Sequence, residues 1–186
     1  LPQQHPVGMT SVGDMNPDCL QSPADWTSLS TAQFEQTKDP WASAPPVADG
    51  HKVVLLDTDH IGWKIFINDA AFTRAWVWKS FLRGHNPIFM DPYDHRILGK
   101  GQPDQWDALR RSMGHTRRLA GRLNLAAMAP HGELASTKYC LAAPGVAYVV
   151  YLPQGGEVSV DLTGGAGAFQ VEWIHPSRPH YLKTKD

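Results

Sequence analysis

The chain has 186 residues, 42% of them hydrophobic and 19% charged, with a formal net charge of -1, which excludes a disordered or fibrous chain and fits one or two globular domains. The near-neutral balance gives no whole-chain attraction to nucleic acid or an anionic membrane, and no apolar run approaches the roughly 18 residues of a membrane span. Cys19 and Cys140 are the two cysteines; they are too few and too far apart for a disulfide framework and read as buried thiols. Leu1 heads the chain with no charged-then-apolar leader behind it, as expected of a chain cut at its amino end. Seven tryptophans are a high count for this length. Tryptophan fills cores and also stacks on sugar rings, so the count alone does not choose between them.

In chain order, "HPVGMTS" (5 to 11) predicts a short strand. A Pro-, Ser- and Asp-rich connection follows to Gly50, containing "SPADW" and "APPVADG"; loops of that length inside a compact unit usually carry function. The apolar run at 52 to 59, "KVVLLDTD", predicts a buried strand that ends in two acids. Asp69 can cap a helix over 70–83 that Gly84 stops. Trp76 and Trp78 lie two apart on it and so cannot share a face: one belongs in the core and the other against a neighbouring element. "NPIFMD" (86 to 91) predicts another buried strand ending in an acid. Pro103 opens a helix to Asn124 with Trp106, Leu109, Met113, Ala120 and Leu123 on one face and five arginines elsewhere, read as a solvated surface. After Asn124 the texture changes to short β-rich runs divided by Gly and Pro. Val158, Val160 and Leu162 alternate with polar residues as in a half-buried strand, and Trp173 and Tyr151 are expected in the core. The expected organisation is a strand–helix part over 1–125, implying parallel pairing, and a small antiparallel β-domain over 126–186.

Two predicted strands end alike, in "DTDH" at 57 to 60 and "MDPYDH" at 90 to 95. Sites on parallel sheets gather beyond the carboxyl ends of the strands, and alternation puts positions 57 and 59 on one side and Thr58 on the other. Carboxylates converging there suit acid/base or nucleophilic hydrolysis, which in glycosidases needs two carboxyl groups across the scissile bond. They also suit metal-assisted hydrolysis, with Asp57, Asp59, His60, Asp91, Asp94 and His95 as an oxygen and nitrogen ligand set, although no HExxH or CxxC spacing supports it. The third possibility is that Asp57 and Asp91 only cap turns and His60 only meets a backbone group.

The stretches "SPADW", "LLDTDHIGW", "WVWKSFLRGHNPIFMDPYD" and "ASTKYCLAAPGVAYVVYLPQGGEVSVDL…FQVEWIHP" resemble the end of a bacterial glycoside-hydrolase-like TIM barrel. In that family a small β-domain, named as a collagen-binding domain of a collagenase, follows the barrel. The resemblance covers nearly the whole chain. It implies the last three strand–helix units of a (β/α)8 barrel, with residues 5 to 11, 52 to 59 and 86 to 91 as its sixth, seventh and eighth strands, then a β-sandwich-like accessory domain over 126–186. It implies hydrolysis of glycosidic bonds in an oligo- or polysaccharide, without a cofactor, by a secreted or periplasmic protein. "DTDH" then lies on the active-site rim, where related barrels usually carry a nucleophilic Glu. Here Glu35, Glu133, Glu157 and Glu172 all lie elsewhere, so Asp59, or Asp57, takes that role. His60 orients it, and the partner acid belongs to a strand this chain lacks. Substrate contacts are expected from Trp26 in a long loop, Trp63, Asp91 and Tyr93. A noncatalytic collagen- or polysaccharide-binding module is the alternative. A ligand-binding β-domain would show an exposed aromatic platform; the expectation here is that it supports the outer helices instead.

Overall fold

The computed structural model describes residues 5–11, 16–29, 45–48, 50–57, 69–88, 103–178 and 181–182, with 57, 103–106 and 181–182 described as backbone alone. The first part builds a four-stranded, wholly parallel sheet in the order β1 (Gly8–Thr10), β2 (Trp26–Ser28), β3 (Val53–Asp57), β4 (His85–Ile88). Three helices belong to it: α1 (Asn16–Gln21), α2 (Ala70–Leu82) and α3 (Pro103–Ala120).

Register explains how the sheet is covered. Met9, Thr27, Val54 and His85 lie level across the four strands, and Val54 and Leu56 are buried against Trp76 and Val77 of α2 and Leu109 of α3. The opposite side holds Gly8, Thr10, Val53, Asn86 and Ile88, all exposed, with Val53 at 52%, together with half-buried Trp26 and Leu55 and buried Ser28. Among the described residues the helices thus cover one face of the sheet and leave much of the other exposed, which is unusual for parallel strands.

The connection expected to be one long loop from residue 12 to residue 50 carries secondary structure in its described residues. It contains α1 and β2, so the sheet has four strands rather than three. β2 lacked an apolar run because its one helix-facing position is Thr27, while Ser28, also buried, lies on the opposite face; the Thr27 hydroxyl donates to the Met9 carbonyl at 3.0 Å. Lys52 ties this segment to β3 by donating to the carbonyls of Cys19, at 3.1 Å, and Ser22, near the end of α1. This offsets orphan carbonyls that a six-residue helix cannot satisfy itself.

α2 begins as expected: an Asp69 carboxylate oxygen accepts from the Phe72 amide at 2.8 Å. Gly84, at φ +80°, stops it. Trp76 and Trp78 divide as their spacing requires. Trp76 is buried in the sheet cluster, and Trp78 enters a second cluster with Leu82, Leu119, Tyr139, Leu141 and Tyr151. That second cluster joins the helices to the following β-rich part.

The latter part has an antiparallel sheet of β5 (Ala129–Pro130), β6 (Cys140–Ala143) and β7 (Ala147–Val150), and a pair of β8 (Trp173–Ile174) and β9 (Tyr181–Leu182). The strand expected through Val158 to Leu162 forms only an isolated bridge, Ala135 to Val160. Tyr151 is buried as expected, but Trp173 is not: it is 46% exposed. Its neighbour Ile174 packs on the second cluster, and alternation turns the Trp173 ring away from it. Cys19 and Cys140 are both buried free thiols, and burial raises Cys140 to a pKa of about 11, far from a reactive thiolate.

Candidate functional site

All four parallel strands end on one edge of the sheet, and the expected site belongs there. Asp57 closes β3, its backbone level with Ile88 at the end of β4. Asp59, His60, Trp63, Asp91 and Tyr93 lie outside the described residues, as do Asp94 and His95 of the metal-ligand set. Among the described residues, no group of three or more His, Cys, Asp or Glu side chains could hold a metal ion.

Trp26 is described, and it is placed elsewhere. It opens β2 rather than lying in a loop, and it is level with Val53 and Gly8 at the amino ends of the strands. Four residues of strand rise, roughly 13 Å, separate that level from Asp57. The Trp26 ring lies across Gly8 so closely that a Cβ there would fall 1.8 Å from the indole. The ring packs on the backbone of β1, and the fold does not bring it to the strand ends with Asp57.

Among the described residues, His85 is strongly perturbed, with a pKa lowered to about 4 by burial. Such a shift can mark an active site. Its position argues for structure instead: it opens β4 on the helix-covered face, with Nε2 2.6 Å from the Pro46 carbonyl oxygen. A carbonyl only accepts, so Nε2 carries the proton. This anchors the segment 45–48, with help from the Arg83 guanidinium donating to the Pro45 carbonyl at 3.0 Å. Nothing in the sequence around "RGHNP" separates this histidine from an ordinary strand residue.

In the β-rich part, Val171 (52% exposed) and Trp173 (46%) point outward from one extended segment, while the intervening Glu172 accepts from Arg122 at 2.8 Å. This exposed aromatic surface was not expected.

No protein-family model matches the chain, nor does any curated protein or solved structure. No helix among the described residues is long and apolar enough to cross a membrane.

Proposed function

We propose that the chain is part of a glycosidic-bond hydrolase built on a (β/α)8 barrel, with its site at the carboxyl ends of the strands. One observation carries this reading: a run of parallel strands in sequential order, helices on one face only, and an acid closing β3. In a closed barrel the helix-free face turns inward and becomes lined by side chains from every strand. Position 57 belongs to the 53/55/57 register of that face, and position 59 continues it. Asp59 acts as nucleophile or base, Asp57 and His60 orient it, and Trp63, Asp91 and Tyr93 contact sugar. Trp26 drops out of the substrate set, because its level on the sheet is that of the amino ends.

The decisive test is Asp59→Asn in the full-length protein, assayed on aryl glycosides and on polysaccharide binding. Hydrolysis falls by on the order of a thousandfold while binding stays within a few-fold. Unchanged turnover removes Asp59 from the chemistry. The metal-assisted version predicts loss of activity with chelator; full activity after metal stripping excludes it.

A second reading has its own support. The exposed Trp173 and Val171 give the β-domain the apolar surface that a collagen- or polysaccharide-binding module needs. On this reading Trp173→Ala weakens retention on insoluble polysaccharide or collagen by about tenfold, the equivalent of one stacking contact, and leaves the thermal midpoint unchanged. Equal retention of variant and wild type leaves the β-domain a support for the helices.

A further inference from the structure

Charge is unevenly spread along this chain. Residues 103 to 122 contain Arg110, Arg111, Arg117, Arg118 and Arg122 against Asp104 and Asp107, a net +3 in a chain whose total is -1, leaving -4 for the rest. Helical spacing places Arg111, His115, Arg118 and Arg122 at i, i+4, i+7 and i+11, so they form one stripe along α3 and the turn that follows it.

The ends of that stripe are neutralised. Arg111 donates to the Asp107 carboxylate at 2.7 Å and Arg122 to the Glu172 carboxylate at 2.8 Å. Its middle is not. Arg118 places a guanidinium nitrogen 2.8 Å from His115 Nδ1, so its described polar partner is another base. A guanidinium has only donors, so Nδ1 accepts here and the imidazole is neutral with its proton on Nε2. Burial, then Arg118 and Arg111, hold the His115 pKa below its ordinary value. The helix macrodipole accounts for basic residues in the last turn, but it does not account for a histidine held neutral between two arginines a turn further in.

We propose that Arg111, His115 and Arg118 on the outer face of α3 bind a tetrahedral oxyanion, a sulfate or phosphate group, with Arg118 as the principal donor. Arg118 supplies the uncompensated charge and paired N–H groups in the geometry such oxygens accept, and Arg111 adds only the N–H donors that its Asp107 contact leaves over. The imidazole Nε2–H adds a donor, and Nδ1 becomes a further donor if the anion draws a proton onto the ring. The anion has two sources, a sulfate or phosphate ester on a glycan or the free inorganic ion. The site is independent of the strand-end chemistry, so its failure and the failure of that reading are separate.

The test is a titration of the intact chain with sodium sulfate, sodium phosphate, a sulfated oligosaccharide and its unsulfated counterpart, at constant ionic strength set with chloride. Histidine ring signals are followed by NMR. His115 shifts saturably with the oxyanions and not with the neutral sugar. Arg118→Gln, an exposed change that spares the fold, weakens the response by about tenfold, as losing one charge-assisted contact requires. Tighter binding of the sulfated sugar than of inorganic sulfate assigns the glycan as source; equal or weaker binding assigns the free ion. A response that chloride reproduces, or one that Arg118→Gln leaves unchanged, overturns the proposal.

Discussion

His85 is 3% exposed beneath the helices, donates from Nε2 to Pro46, and leaves a buried Nδ1 without a partner. Protonating the ring would put a charge in that setting beside Arg83, so the folded pKa drops to about 4 from its ordinary 6.5, with burial the main cause. The sign of the linkage follows. Above pH 6.5 the ring is neutral in both states and its contribution to stability is fully present. As pH falls below 6.5 the unfolded chain takes up the proton first, and stability declines until the folded ring also protonates near its own pKa. The full loss is about 3 kcal/mol. Chemical unfolding of wild type and His85→Gln across this range checks it: the variant loses about 3 kcal/mol less than wild type on acidification. Parallel pH curves for the two proteins would clear His85 of the effect. The same residue marks a limit of sequence reading, because a buried histidine, a ligand and a catalytic base look alike until burial and partners are known.

Each element carries a different share of what could be foreseen. β3 was legible from its apolar run, α2 from a capping acid and a glycine stop, and α3 from its opening proline and apolar periodicity, although it ends at Ala120 and not at the expected Asn124. β2 was not, since a three-residue strand with Thr27 inward and Trp26 and Ser28 on the other face lacks an apolar signature. In "QVEWI" alternation offers two equivalent faces, and only the Arg122–Glu172 pair and the packing of Ile174 decide that Trp173 faces out. Of the candidate site, Asp57 was legible as a strand end, and its companions lie outside the described residues. α2 joins the two parts of the molecule: Trp78 stacks on Tyr151 with centroids 6.1 Å apart, and Lys79 and Arg83 lie over the Tyr139 ring at 5.3 and 4.9 Å. Trp78→Ala leaves a cavity between α2 and the antiparallel sheet and costs about 4 kcal/mol. Limited proteolysis checks whether the junction loosens: cleavage between residues 121 and 128 accelerates in the variant. Equal cleavage rates would mean that the β-rich part holds its place without this contact.

At the scale of the whole molecule, the parallel sheet presents two outer edges, β1 and β4, each paired on one side only among the described residues, together with a face bearing exposed Val53 and Ile88. Parallel strands are almost always covered on both faces, and bare strand edges recruit other strands. The helices shield the Val54 and Leu56 side completely, with both residues at or below 1% exposure, so the apolar demand on that side is already met. What remains unmet lies on the open face and at the two edges, where parallel direction lets β4 of one copy continue the sheet at β1 of another. The isolated chain is therefore expected to self-associate with rising concentration and, on the barrel proposal, to hydrolyse nothing, since a barrel mouth needs carboxylates from more strands than these four. Sedimentation velocity over a concentration series measures the first expectation. Residues 7, 9 and 11 turn their backbone groups toward β2, so replacing Thr10 with proline removes a donor from the free edge and adds a ring there, and it shifts the association to higher concentration. A monodisperse, cooperatively melting monomer at every concentration would mean that these strands are closed by the chain itself. In that case the barrel proposal gives way to the binding-module reading, with the Trp173 surface as its first place to look.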